Sequence, residues 1–367
     1  MKIGILTVPF NNNYGGYLQC YALMSTLRKL GHEPVVINRR QNVELRLVKR
    51  IKAFVANRIL GDKCRMYNKK SMEAYYALKG KDMYSFVDKN LAPMSSPLYR
   101  QKDYKSLESL DLDAVIVGSD QVWRPQYVPS IEEYFLEYVP QNVRKLAYAA
   151  SFGSDRVEYS KQELDRCAML LKSFYAISVR EKSGMKIVKD YLGRNDVQTV
   201  LDPTMLLTTE DYCALMPEGC DHHKKHLFAY ILDRTQWKEQ FIQHVASNID
   251  LRVLDIMKIG RAEPFKPIGE WLYGLKTSDF VVTDSFHGTV FCILFNRPFY
   301  VIGNQKRGNS RMMDLLSLFG LEDRLLNDGN TDFLKIEPQD NIKWEKVNNK
   351  LDLLRADSIG FLKHSLE

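Results

Sequence analysis

Apolar positions in this chain fall into two alternating patterns. Short runs rich in β-branched residues occur at Lys2 to Val8, Pro34 to Ile37, Asp113 to Val117, Leu146 to Ser151 and Tyr175 to Arg180. Such runs, bounded by Gly, Asn, Asp and Ser, predict buried strands. Between the first two, Tyr17 to Leu30 carries apolar residues at helical spacing, and Gly31 supplies the stop. A strand, helix, strand opening of this kind predicts a parallel, doubly wound sheet whose ligands lie beyond the carboxyl ends of its strands. The second half repeats the pattern, with strands at Leu227 to Leu232, Leu251 to Ile256, Phe280 to Val282 and Phe299 to Ile302, and a helix from about Thr235 to Ser247. A second parallel sheet follows from that repetition.

The most informative stretch is Ser278 to Phe299, SDFVVTDSFHGTVFCILFNRPF. A buried strand feeds Thr283-Asp284-Ser285, which has helix-start chemistry, and the helix ends ahead of Arg297-Pro298. His287 falls in the first turn, where unpaired N–H groups and the helix dipole favour an anion beside the imidazole. Gly288 would admit a ligand close to backbone. A lone histidine in an apolar neighbourhood is also commonly a satisfied core residue, so this stretch alone leaves both readings open.

Five stretches together resemble the polysaccharide pyruvyl transferase family: Asn11 to Ile37 (NNNYGGYLQCYALMSTLRKLGHEPVVI), Asp113 to Trp123 (DAVIVGSDQVW), Ala176 to Gly184 (AISVREKSG), Val200 to Leu207 (VLDPTMLL) and the segment around His287. They occur in the family's order. The resemblance implies an α/β fold of two Rossmann-type doubly wound domains facing a cleft, GT-B-like in arrangement. The expected organisation is a first domain over 1–207 on the acceptor side, a polar linker over 208–225, a donor-side domain over 226–339, and a terminal helix over 340–367 that packs back on the first domain.

Composition narrows the class. The chain has 367 residues, 45% hydrophobic and 26% charged, with no apolar run long enough to span a membrane. The first residues read as a strand and not as a signal peptide, so the expected location is cytoplasmic. Six cysteines show no C-x-x-C pair, and reduced thiols are the expectation. Cys213, Cys220, His222, His223 and His226 cluster in sequence but match no familiar zinc spacing, so no metal is expected. Charge is uneven. The net +7 arises because residues 39–70 hold eleven Lys or Arg against two acids, while the remainder holds 41 basic residues against 43 acidic ones. Leu47, Ile51, Phe54, Val55 and Ile59 repeat at helical spacing among Arg46, Lys49, Arg50, Lys52 and Arg58. This basic amphipathic pattern suits either an anionic membrane surface or a solvated face. No nucleic-acid recognition module accompanies it.

The resemblance also implies a chemistry: pyruvate taken from phosphoenolpyruvate and set as a cyclic ketal across two sugar hydroxyls, with phosphate released. That chemistry belongs to capsular or exopolysaccharide assembly, with phosphoenolpyruvate as co-substrate, no further cofactor, and a sugar acceptor on a lipid carrier. His287 and Asp120 are the expected catalytic residues. Arg180, Ser285, Gly288, Lys306 and Arg307 are expected at the donor, with Arg311 a further candidate cation. Asn13, Tyr14, Gly15 and Gly16, in a loop after the first strand, are expected at the acceptor. Ser285 stands where some members carry arginine, so one anion contact must come from elsewhere. Two other classes remain open: a nucleotide-sugar glycosyltransferase on the same fold, and a non-catalytic binding protein of the same pathway.

Overall fold

A computed structural model of the chain describes residues 1–10, 13–40, 51, 54–55, 78–217, 225–260, 263–303, 309–329 and 332–367. The first sheet contains β1 (Lys2–Leu6), β2 (Glu33–Val36), β3 (Ala114–Val117), β4 (Arg144–Ala150), β5 (Ala176–Val179) and β6 (Gln198–Thr199) in the order β2-β1-β3-β4-β5-β6. The second contains β7 (His226–Tyr230), β8 (Arg252–Asp255), β9 (Phe280–Thr283), β10 (Phe299–Gly303) and β11 (Leu325–Asn327) in the order β11-β10-β9-β7-β8. Every strand pair is parallel. Each sheet therefore reverses its winding direction beside its own first strand, between β1 and β3 and between β7 and β9. Ligand crevices of doubly wound sheets open at the carboxyl ends there. The two-domain Rossmann-type fold read from the sequence is the fold observed.

The helices used below are α1 (Tyr14–Lys29), α2 (Lys81–Asn90), α3 (Lys161–Leu171), α4 (Lys182–Leu192), α5 (Thr209–Cys213), α6 (Gln236–Asn248), α7 (Ile268–Lys276), α8 (Phe286–Leu294), α9 (Ser310–Phe319) and α10 (Trp344–Leu366). Apolar side chains of α1, α7 and α8 merge into one core that bridges the domains. At its centre Tyr14 stacks on Trp271 with ring centroids 5.4 Å apart, and the Tyr14 hydroxyl donates to the Lys266 carbonyl at 2.9 Å.

Two expected boundaries move. The stretch expected as a loop before Tyr17 is already helix from Tyr14, because the Asn13 side chain accepts the Gly15 N–H and caps α1. The described part of the expected linker is folded: α5 lies in it, and Tyr212 is fully buried edge-on to Phe291 of α8. Cys220, His222 and His223 lie outside the described residues, while His226 opens β7. The terminal helix α10 returns to the first domain. Ser358 Oγ accepts the Leu201 N–H at 3.0 Å, Arg355 Nε donates to the Met205 carbonyl at 2.9 Å, and Arg144 Nη1 donates to the Ser365 carbonyl at 3.1 Å. Among the described residues no helix is long and apolar enough to cross a membrane.

The basic segment falls mostly outside the described residues, including Arg46, Lys49, Arg50 and Lys52. Ile51, Phe54 and Val55 are described and exposed. Arg39, counted with that segment from sequence, is instead buried and paired with Glu133.

Candidate active site

The turn from β9 into α8 places His287 at the switch point of the second sheet. Local chemistry fixes that turn. Asp284 is buried and accepts the Leu232 N–H at 2.7 Å, the Asp233 N–H at 3.0 Å and Lys238 Nζ at 2.8 Å, tying the carboxyl ends of β7 and β9 together. Ser285 is the N-cap of α8, its Oγ accepting the Gly288 N–H at 3.3 Å. That places Ser285 at the helix start, with its O–H still free to donate. At Gly288 a Cβ would run into Thr283 Oγ1 and approach Tyr230 to 3.1 Å, so the glycine lets α8 close onto β7 and β9.

The carboxyl ends of the first sheet bring Asp120, Arg180, Glu181 and Asp202 against this helix start. Asp120 follows β3 with a positive φ of 71°, a conformation that costs a non-glycine residue energy and that clusters at functional sites. Arg180 follows β5. Its Nη1 donates to Asp202 Oδ2 at 2.8 Å, while Nη2 stands 3.5 Å from Asp120 Oδ1 and Nε 3.8 Å from Glu181 Oε2. Its guanidinium also lies over the Phe286 ring, 4.1 Å from the centroid. Arg311, from the first turn of α9, approaches the same ring at 5.7 Å.

Asp202 is the hub. Oδ1 accepts from Thr204 N at 3.0 Å and Thr204 Oγ1 at 2.7 Å. Oδ2 accepts from Arg180 Nη1 and from Ser119 Oγ at 3.2 Å, and lies 3.5 Å from His287 Nε2. Burial opposes the charge on Asp202, yet His287, Arg180 and Thr204 together outweigh it and hold the carboxyl well below its usual range. Glu181 goes the other way: burial raises it, against the pull of Arg180, Ser151, Arg311 and the Phe152 N–H. Arg311 is pushed down to about 10 by burial and by the like charge of Arg180.

Gly15 completes the arrangement from the opposite domain. A Cβ built on it would overlap the His287 ring, so the start of α1 touches the start of α8 only because residue 15 is glycine. Of the residues expected at the acceptor, Gly15 and Gly16 are buried in the first turn of α1, Tyr14 is buried in the interdomain core, and Asn13 is exposed. Lys306 and Arg307 lie outside the described residues. Asp202 carried no expected role, although the sequence held a signal for it: Asp-Pro-Thr directly after a strand is a capping pattern at a carboxyl end.

A cavity of about 590 Å³ lies elsewhere, at the amino ends of β3 and β4, lined by Tyr104, Leu107, Val115, Tyr138 and Val143. It includes none of the charged groups above, so side-chain chemistry and not cavity size locates the site.

Known structures share the fold at low identity. The S. aureus MnaA–UDP co-structure aligns over 96% of this chain and 87% of its own, with 13% identity and a TM-score of 0.50. UGT89C1 of Arabidopsis thaliana complexed with UDP-L-rhamnose aligns over 97% and 99%, with 8% identity and a TM-score of 0.48. The UDP-GlcNAc 2-epimerase of Methanocaldococcus jannaschii aligns over 97% and 93%, with 10% identity and a TM-score of 0.45. No curated protein matches the sequence. The model of the polysaccharide pyruvyl transferase family matches residues 13–306, which contain every element of the buried cluster at its first-domain end together with His287, and the chain belongs to that family.

Proposed function

We propose that this pyruvyltransferase uses phosphoenolpyruvate as donor and forms a cyclic ketal across two hydroxyls of a sugar in capsular or exopolysaccharide assembly. The observation that supports this most is His287 Nε2, which is buried, has no hydrogen-bond partner, and stands 3.5 Å from the charged Asp202 carboxylate. Ketal formation needs an acid at carbon, an acceptor for hydroxyl protons and fixed cations for a carboxylate and a phosphate. His287 donates a proton to the donor's methylene carbon, which becomes the ketal methyl group. The first sugar hydroxyl then adds at C2 and loses its proton. The second hydroxyl forms the second C–O bond as the C2–O bond to phosphate breaks, and its proton leaves with the phosphate. Asp202 positions the imidazole and Arg180 without reacting. Asp120, beside Arg180, accepts or orients a hydroxyl proton. No step in this scheme needs a metal.

The test is phosphate release from phosphoenolpyruvate across a panel of free and lipid-linked galactosides, glucosides and mannosides. One phosphate per ketal is expected. Saturation by a nucleotide sugar with no response to phosphoenolpyruvate would instead make the chain a glycosyltransferase. Donor binding without phosphate release would make it a binding protein.

The same proposal places the enzyme in the cytoplasm, reversibly against the anionic inner leaflet through Arg46, Lys49, Arg50 and Lys52. Each basic residue near such a surface contributes about 1 kcal/mol. Replacing all four by Glu should abolish co-sedimentation with anionic liposomes at low salt. Unaltered binding would remove the membrane role.

A further inference from the structure

Buried polar atoms without hydrogen-bond partners collect along one side of the cluster. They include Arg180 Nε and Nη2, Ser183 Oγ, Ser310 Oγ and Arg311 Nε. Ser183 and Ser310 belong to the first turns of α4 and α9, one from each domain. These turns start side by side, because the Lys182 N–H of α4 donates to Asp314 Oδ2 of α9 at 2.9 Å, and Ser310 lies one turn before Asp314 on the same face. The start of α4 therefore meets the first turns of α9, with the Lys182 N–H already taken by the Asp314 carboxylate, and both helices are long enough to carry a dipole.

The two arginines here differ in how their charge is met. Arg180 has three carboxylates within reach, those of Asp202, Asp120 and Glu181. Arg311 is 7% exposed; among the described residues its side chain makes no close ion pair and no hydrogen bond, and Asp120 and Glu181 meet its charge only from further away. A buried cation in that state is expensive unless an anion arrives. Hydroxyls that have spent nothing on protein partners, in the first turns of two helices that meet at this cluster, suit a tetrahedral oxyanion together with the Arg311 guanidinium.

We infer that Arg311, together with the hydroxyls of Ser183 and Ser310, holds the phosphate of the donor. This rests on the donor reading above. Arg311 then supplies the anion contact for which Ser285 offers no charge, and the phosphate bridges the two domains through α4 and α9. Binding of the donor, and of the phosphate it leaves behind, would thus draw the helix starts together.

The test is titration calorimetry with inorganic phosphate and with phosphoenolpyruvate on the full chain and on Arg311→Met, Arg311→Lys and the Ser183→Ala/Ser310→Ala double variant. Loss of a charged, bidentate contact should weaken both ligands about 10- to 100-fold in Arg311→Met. The ligand-free Arg311→Met protein should melt no lower than its parent, since an unpaired buried cation is exchanged for an apolar chain. Arg311→Lys keeps the charge but loses the fork, so it too should weaken binding. The double serine variant should weaken binding less. Unchanged phosphoenolpyruvate affinity in both Arg311 variants, with normal binding by the parent, overturns the inference and leaves the donor reading standing. Phosphate binding lost with Arg311 in a chain that ignores phosphoenolpyruvate keeps this site and overturns the donor. A parent chain that binds neither anion overturns the inference.

Discussion

Arg39 and Arg180 are both buried in the first domain, and both face carboxylates, yet their surroundings are opposite in kind. Arg39 spends its fork completely: Nε and Nη2 donate to Glu133 at 2.7 and 3.2 Å, and Nη1 donates to the Tyr99 carbonyl at 2.9 Å and the Leu98 carbonyl at 3.3 Å. Glu133 in turn accepts the Tyr104 hydroxyl at 2.9 Å. Arg180 has one donor hydrogen-bonded, at Asp202, while Nε and Nη2 have no hydrogen bond and only the longer ion-pair contacts to Glu181 and Asp120. Buried polar groups are ordinarily satisfied, and a closed network rigidifies the fold around it. An open one keeps capacity for something that is not part of the chain. The difference separates a closed charge pair from one that keeps donors to spare.

The largest expected effect lies in the open cluster. His287→Ala should lower turnover by about 10²- to 10⁴-fold, the usual contribution of a general acid, while donor affinity stays near the parent's and melting falls because a buried ring against Gly15 and Asp202 is removed. Steady-state phosphate release with parallel calorimetry measures it. Turnover close to the parent's would take His287 out of the mechanism and leave the cluster without an acid.

The closed cluster should fail in the opposite way. Glu133→Ala leaves the Arg39 guanidinium buried without its carboxylate, and breaking one side of a buried pair costs about 3–5 kcal/mol. Urea unfolding should show that loss, with donor affinity unaltered in the protein that remains folded. A variant that kept its stability but lost donor binding would erase the distinction drawn between the two arginines. Within the open cluster, Arg180→Lys should raise the donor KM about tenfold, since a point charge cannot reproduce the planar fork. An unchanged KM would assign Arg180 wholly to holding Asp202 in place.

Much of this frame was legible in the sequence, because strand runs and helical periodicity carry the doubly wound pattern directly. His287, Asp120 and Arg180 were legible as residues that end or follow strands, which is where the switch points lie. Roles that depend on contacts across the fold were not. Ser285 and Gly288 read as a helix-start motif, but that Gly288 also fits α8 against Thr283 shows only in the folded contacts. Gly15 looks like part of a flexible loop, yet its place is set by a histidine 272 positions away that no local pattern can indicate. Arg39 reads as one more charge in a basic run until the structure puts Glu133 beside it. Asp202 shows only a cap signature in sequence, because its importance comes from three partners, Ser119, Arg180 and His287, contributed by separate segments.

The smallest expected effect concerns pH and separates Glu181 from its neighbour Asp202. Burial raises the Glu181 carboxyl above its ordinary value of 4.5, with Arg180 and Arg311 opposing the rise. Between that value and the raised one, the folded chain holds a proton that the unfolded chain has released. Stability therefore falls as pH rises through this window, since the unfolded state binds fewer protons there. Asp202 has the reverse sign. Its carboxyl is held below the ordinary value of 3.8, so the stability it contributes is complete above that pH and is lost only as pH falls further. It adds no slope to the window that Glu181 occupies. In Glu181→Gln the Glu181 component should vanish, and each unit of raised pKa corresponds to about 1.4 kcal/mol. Melting temperature against pH, recorded for parent and variant from about pH 4.5 upward, isolates that component because all other groups cancel in the difference. The two curves should diverge as pH rises, with the variant gaining relative to the parent. Parallel curves would mean that Glu181 ionises as freely in the fold as in the unfolded chain, and that its unpaired oxygen is matched by Arg180 as fully as Glu133 is by Arg39.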